Sequence, residues 1–409
     1  MVVHAQLKAK RRASKSFSPA VGARFSVVQF SFQPRLTMFS YAGTMADKTS
    51  VICTRGSALA LAQANLIAAQ CRAAFPALSF ELKIIKTTGD KLQKASMAKT
   101  DPSLPKGLFT KELEVALMNG EADLAVHSLK DLPTELPDGL VLAATPRRED
   151  VRDVLIYRAR ELGGKTNPRR GFPPHLTLAD LPAGATIATS STRRKMSLLA
   201  VRPDLRIEEI RGNVATRMQK VADRAEVDAT ILALAGMTRL HFKINEDGTI
   251  SGDAVPAGLL ATVLSLDVML PCVGQGAIGL EIRDGDERIG KIVAQLNHPA
   301  TFQAVTAERA FLRGMGGGCQ SPVGAHGLIS GDTISLRAIS FRDETVKRGE
   351  GRRPVAEAAE LGLQLAEQES RALALAAKLR YSDRLSLSEY KESLSQREQD
   401  RSGRSFPRW

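Results

Sequence analysis

Four cysteines in 409 residues, none paired at close spacing, exclude a disulfide framework and a zinc ribbon and point to a reducing compartment. No stretch approaches the roughly 20 uncharged apolar residues of a membrane-crossing helix. Aromatic residues make up only 5% of the chain, a poor supply for stacking on nucleic-acid bases. A Walker-type glycine loop, an HExxH pair and a CxxC pair are all missing, so nucleotide and metal sites have no motif to rest on. These absences describe a soluble intracellular protein. The remaining composition, 43% hydrophobic and 25% charged, is that of a globular chain long enough for more than one domain.

Acidic residues are absent from residues 1–46, which carry seven Lys or Arg. Of the net charge of +13, +7 sits there and +2 in residues 380–409, which leaves +4 for residues 47–379. The body is therefore only mildly basic, which argues against a nucleic-acid-binding face. The basic, Ser-rich N-terminal segment fits a disordered extension or an organellar transit peptide. A cytoplasmic location is the expectation, an organellar one the alternative. Residues 380–409 read as a flexible polar tail.

Between these ends, short apolar runs alternate with helical patterns. Strands are expected at Ser50–Thr54, Phe80–Lys86, Asp123–His127 and Leu140–Ala144, with helices at Ala58–Ala74, capped by Ser57, and Phe109–Met118. A second block alternates strands at Ala185–Thr189, Arg206–Ile210 and Asp228–Ala235 with helices at Ser191–Ala200 and Val214–Ala222. That order predicts parallel sheets with crossover helices. A third block has a helix at Thr301–Leu312, strands at Val323–Leu328 and Ile334–Ser340, and a helix at Val355–Lys378. Residues 242–258 read as a surface insertion.

Arginines recur where strands meet helices: Arg55, Arg193, Arg194, Arg211, Arg217 and Arg239. In open α/β sheets ligands bind at the carboxyl ends of strands, beside helix N-termini, where guanidinium groups favour carboxylate or phosphate. The repetition suggests a polyanionic ligand. Lys130-Asp131 ends an apolar strand before Leu132-Pro133; Asp131 suits either a turn or a carboxylate that stabilises a developing cation. His127 reads as a satisfied core histidine. Cys53, Cys71 and Cys272 lie in apolar settings and read as buried thiols. Cys319 follows Gly316-Gly317-Gly318 and is either incidental to a tight turn or open to a bulky partner.

Seven ordered segments carry a resemblance to the porphobilinogen deaminases, or hydroxymethylbilane synthases, from about residue 49 to 378. They are Thr54-Arg55-Gly56-Ser57-Ala58-Leu59-Ala60, the run from Lys106 to Glu114, the run from Ala125 to Pro133, Thr189-Ser190-Ser191-Thr192-Arg193-Arg194, the run from Arg211 to Arg217, Val273-Gly274-Gln275-Gly276-Ala277, and Gly317-Gly318-Cys319-Gln320. The resemblance implies an α/β fold: two periplasmic-binding-protein-like domains with mixed, mainly parallel sheets, and a smaller α+β third domain carrying the cofactor cysteine. Domain 1 would be residues 47–147 and 268–290, domain 2 residues 148–267 and domain 3 residues 298–379. It implies a transferase that condenses four porphobilinogen units head to tail, with loss of ammonia, on a dipyrromethane cofactor joined to Cys319, and then releases hydroxymethylbilane by hydrolysis.

By position, the resemblance makes Asp131 catalytic. It places Cys319, Lys130, Asp131, Ser191, Arg193, Arg194, Arg211 and Arg217 on the cofactor. Arg55, Ser57, Arg217, Arg239, Asp90 and Gln275 fall on the substrate, and no metal is implied. The partner is the small molecule porphobilinogen, with no nucleic acid and no membrane, and the chain would be a monomer. A non-enzymatic anion carrier of the same architecture is the rival reading; it needs the arginines but neither Asp131 nor Cys319. The segment before Lys106 departs from the family pattern, with Pro102 and Pro105 where a glycine pair is usual.

Overall fold

The computed structural model describes residues 49–89, 109–160, 170–317, 321–342 and 345–370. Residues 1–46, Asp90, Lys106, Cys319 and the 380–409 tail lie outside them. No helix among the described residues is long and apolar enough to cross a membrane.

The first sheet forms from β1 (Ser50–Arg55), β2 (Phe80–Ile85), β3 (Leu124–Ser128), β4 (Leu140–Ala144) and a strand from much later in the chain, β12 (Ile278–Arg283). Its order is β2-β1-β3-β12-β4, with β1 parallel to β2 and β3, and β12 antiparallel between β3 and β4. Helix α1 (Ala58–Ala74) is rich in Ala and Leu, strong helix formers, and the Ser57 hydroxyl caps it by accepting from the Ala60 N–H. Its face of Gln63, Ala64, Ile67, Ala68 and Cys71 has helical spacing and turns inward, where Ile67 meets Ile52, Val126 and Leu280. Helix α2 (Lys111–Met118) covers the opposite face through Leu113 and Leu117, packed with Cys53 and Ala125.

The second sheet has the order β11-β5-β8-β6-β7, from β5 (Asp153–Arg158), β6 (Thr186–Ala188), β7 (Arg206–Glu208), β8 (Ala229–Ala233) and β11 (Leu259–Val263). All six residues of β5 are buried, Leu155 and Tyr157 in the core on one face, Val154 and Ile156 in the core on the other. Helices α3 (Thr192–Val201), capped by Ser191, and α4 (Val214–Asp223), capped by Asn213, cross over between its parallel strands. A short helix, α5 (Leu234–Arg239), follows β8 directly.

The third sheet, β13 (Val323–Ser330), β14 (Thr333–Ser340) and β15 (Lys347–Pro354), is antiparallel throughout. Helix α7 (Pro299–Gly314) and a helix over residues 358–370 share its core through Phe311, Leu336, Leu361 and Leu365. Helix α6 (Glu287–Leu296) joins β12 to α7 and packs its Ile289, Ile292 and Val293 into the first core.

Three expectations are corrected. The two larger sheets are not mainly parallel: four of their pairings are parallel and four antiparallel, because β5 and β12 each run against both of their neighbours. Arg239 closes helix α5 rather than following a strand. Cys272 is partly exposed, whereas Cys53 and Cys71 are buried. Residues 242–258 are mostly exposed and form a hairpin of β9 (Lys243–Ile244) and β10 (Ile250–Ser251), anchored by Phe242 and Ile250 in the core of the second sheet.

Candidate active site

The turn carrying Asp131 is built on β3. After Ser128 the chain makes one 3-10 turn, Leu129–Asp131, in which the Leu132 N–H donates to the Leu129 carbonyl at 3.1 Å. Pro133 has no N–H and cannot continue the strand. Beneath the turn lies the segment Cys272–Ala277. The Leu129 N–H donates to the Ala277 carbonyl at 3.0 Å, and Gly274 fits against Leu129 and the Lys130 nitrogen at φ +72°, where a Cβ would sit 3.2 Å from that nitrogen. Lys130 and Asp131 are both half-buried, and Asp131 has no hydrogen bond or ion pair with any described residue.

The same Cys272–Ala277 segment organises the arginines. Gln275 is buried and donates to the Val151 carbonyl at 2.7 Å and to Asp153 Oδ1 at 3.0 Å. Asp153, fully buried at the start of β5, holds Arg193 through Oδ2 at 2.8 Å and Arg194 through Oδ1 at 2.7 Å. Arg193 also donates to the Leu270 carbonyl, and Arg194 to the Ile231 carbonyl. Burial alone would raise the Asp153 carboxyl, but the charges of Arg193 and Arg194 outweigh it and hold the group at about 2. One carboxylate facing two guanidiniums leaves a buried excess of positive charge. Arg239 donates to the Gly276 carbonyl at 2.7 Å, so the segment that supports Asp131 also touches this second cation.

Several cations here lack a full complement of partners. Burial, with Arg194 nearby, pushes the Arg217 guanidinium down to about 10; burial does the same to Arg239, offset in part by Glu149. The Nε atoms of Arg193, Arg194 and Arg239 are buried and have no hydrogen-bond partner among the described residues. Buried donors without acceptors are costly, so these atoms add to the unbalanced positive charge of the cluster. Arg211 is exposed, beside Glu209 at 3.3 Å. Arg55, at the end of β1, lies over the Phe109 ring at 4.1 Å, and Ser57 is engaged as the α1 cap. Near that end of α1, Gly236 of α5 has room for a Cβ only 3.8 Å from Leu59 and from Val214, so the starts of α1 and α4 meet at α5.

The structure joins Arg193, Arg194 and Gln275 through Asp153, with Arg217 near Arg194, ties Arg239 and the backbone of the Lys130-Asp131 turn to the same Cys272–Ala277 segment, and places Arg55, Ser57, Ser191 and Arg211 at helix starts. Gln275 is a support rather than a surface group, since its amide is engaged inward. Asp90 and Cys319 lie outside the described residues. Sequence reading missed Asp153, the counter-ion of the cluster, and Gln63, whose Oε1 accepts from Ser128 at 2.9 Å while its Nε2 has no partner among the described residues. Gln63 was legible as a polar residue on the inward face of α1; nothing in the sequence marked Asp153. His127 is a core histidine, 2.8 Å from the buried Glu281.

Fold and site together define a mixed α/β protein in which an arginine cluster is gathered around one buried carboxylate and a second carboxylate, Asp131, has no partner among the described residues. A family model described as porphobilinogen deaminase, dipyromethane cofactor binding domain, matches residues 51–291, and one described as porphobilinogen deaminase, C-terminal domain, matches residues 302–369. The porphobilinogen deaminase of Geobacter metallireducens is 42% identical over 332 residues, 79% of this chain and 92% of its own. That of Chlorobium chlorochromatii is 42% identical over 327 residues, 78% of this chain and 94% of its own. The chain belongs to the porphobilinogen deaminase family, whose members are transferases, the hydroxymethylbilane synthases of tetrapyrrole biosynthesis.

Proposed function

We propose that this chain condenses four porphobilinogen units head to tail on a dipyrromethane group tethered through Cys319, with Asp131 as the catalytic carboxylate. The observation that carries this reading is the shared Cys272–Ala277 segment, which supports the Asp131 turn on one side and the arginine cluster on the other. The residues fit the group: Arg193 and Arg194 share a single carboxylate, and the excess positive charge around them, with Arg217 and Arg239 close by, suits its acetates and propionates. When bound, the dipyrromethane supplies the pyrrole carbon on which the chain is built.

The protein's own residues do the rest. Each porphobilinogen brings two carboxylates; Arg55, Arg211, Arg217 and Arg239, with Lys130, offer charge at which they are held. Loss of ammonia from the substrate leaves a cation delocalised over its pyrrole ring. The Asp131 carboxylate, not engaged with any described residue, is available to face that cation and lower the barrier to it. No protein nucleophile is required, which accords with the lack of a Ser-His-Asp arrangement. Within this reading the first and second sheets are the two periplasmic-binding-protein-like domains, whose arginines bind the cofactor, and the third sheet with its helices is the smaller domain carrying the attachment cysteine.

The glycines around Cys319 have two separate duties. Gly316 takes φ +63°, a left-handed conformation open to glycine, and turns the chain after α7. At Gly317 a Cβ would lie 2.1 Å from Ser321 Oγ, so the ends of the Cys319 loop touch. The intact mass of the purified protein tests the tether. The expected result is an excess matching two linked pyrroles, mapped to Cys319 by proteolysis and absent in Cys319→Ala, which also has no turnover. An unmodified mass in freshly made, active protein would instead favour an anion carrier or a different attachment.

A further inference from the structure

We propose that Arg309 is a positioning residue for the reaction: from helix α7 it fixes the turn that carries Asp131. Asp131 itself has no partner among the described residues, so its place is set by its backbone neighbours. On one side the turn rests on Ala277 and Gly274, as described above. On the other it meets α7. Val305 of α7 packs in one apolar cluster with Leu129, Leu132 and Ala277. One helical turn further, on the same face, Arg309 donates from Nη1 to the Leu132 carbonyl at 3.1 Å and from Nη2 to the Pro133 carbonyl at 2.6 Å.

Arg309 is a half-buried arginine held by backbone carbonyls. Both named acceptors are neutral carbonyls, and no carboxylate is within ion-pairing distance among the described residues. Burial pushes its guanidinium down to about 10, with Glu281 opposing and Arg313 adding to the effect. A charge kept at that cost, and directed at two successive carbonyls just after Asp131, serves geometry rather than neutralisation. The planar guanidinium presents two donors from separate nitrogens in a fixed fork, whereas a lysine ammonium donates from one nitrogen on a flexible stem. The neighbouring Glu308 reinforces the arrangement, accepting from the Gly274 N–H at 2.8 Å on the other flank of the same turn. Two consecutive residues of α7 therefore hold the Asp131 turn from both sides.

The inference rests on the reading of Asp131 as the catalytic carboxylate, and its test separates the two. Arg309→Met keeps the apolar stem and removes the fork. A misplaced catalytic group can lose on the order of 100-fold in rate. Arg309→Met is therefore expected to retain the cofactor mass, to keep KM within about threefold of the parent, and to lose kcat by that order, with Arg309→Lys intermediate. Parental kcat in Arg309→Met, or a loss explained by missing cofactor or a proportionate rise in KM, overturns the proposal. If Arg309→Met does not fold, Arg309→Lys decides on the same split: a kcat-only loss supports the role and a parental kcat overturns it. Asp131→Asn, assayed alongside, reports on the underlying reading. If it is inactive while Arg309→Met is normal, only the positioning role fails; if it turns over normally, the catalytic assignment of Asp131 fails.

Discussion

Replacing Asp131 by Asn is expected to lower kcat by on the order of 1,000-fold while leaving the fold and cofactor content intact. Asn is nearly isosteric, so any loss reports charge rather than shape. Asp131 is half-buried and has no hydrogen bond or ion pair among the described residues, so no structural interaction is broken. Substitutions away from such interactions usually change stability by within about 0.5 kcal/mol. The expected pattern is thus unchanged unfolding, an unchanged intact mass and an almost complete loss of ammonia release and tetrapyrrole formation. Activity within about tenfold of the parent would remove Asp131 from the mechanism, because a carboxylate facing a developing cation is worth more than that. The arginine cluster would then have to account for rate as well as binding.

Asp153→Asn is expected to act chiefly on stability. Removing one partner of a buried ion pair typically costs about 3–5 kcal/mol, because the remaining charge is left uncompensated. Here two guanidiniums share the one carboxylate. The pH dependence gives the effect a signature. With the folded-state value at about 2, below the ordinary 3.8, the Asp153 contribution is complete above about pH 4 and is lost as pH falls through about 2. That shift corresponds to about 2 kcal/mol; the orphaned arginines make the mutation more damaging than protonation alone. Urea unfolding of parent and variant should therefore differ most above pH 4, with the gap narrowing as acid is added. A difference below about 1 kcal/mol at pH 7, or one independent of pH, would show that the arginines find other partners.

Much of this architecture was legible because local signals agreed with the tertiary structure. Ser57 and Ser191 sit at helix caps, and the Ala58–Ala74 pattern gave a helix with those bounds. What was missed shares a physical cause: charge or glycine where packing, rather than propensity, decides. β5 has charged residues at both ends, Asp153 and Arg158, yet all of it is buried because each charge is met internally, Arg158 by the Val221, Arg224 and Val227 carbonyls. β15, Lys347–Pro354, has no large apolar residue before Pro354; Gly349 and Gly351 face Leu365 and so bring the strand close to the helix over residues 358–370. At the site, arginines could be placed by topology, since β1 and the crossover helices were readable. Asp153 and Arg309 could not, because their meaning depends on contacts with residues tens to hundreds of positions away. The strand-end position of Asp131 left a turn residue and a cation-facing carboxylate equally open, and the family resemblance supplied its proposed catalytic assignment.

The placement of β12 has a consequence for how the chain is made. The strand Ile278–Arg283 lies between β3 and β4, so the first sheet has a vacant central lane until residue 283 has been synthesised. The second sheet, whose last strand ends at Val263, is complete in sequence before β12 is made and can pair internally first. The N-terminal half of the protein must therefore wait, with the inner edges of β3 and β4 open to any strand that arrives, a recognised route to aggregation. Chains truncated between β11 and β12 should be handed to chaperones or lost, whereas a nascent chain that includes Arg283 can close its first sheet.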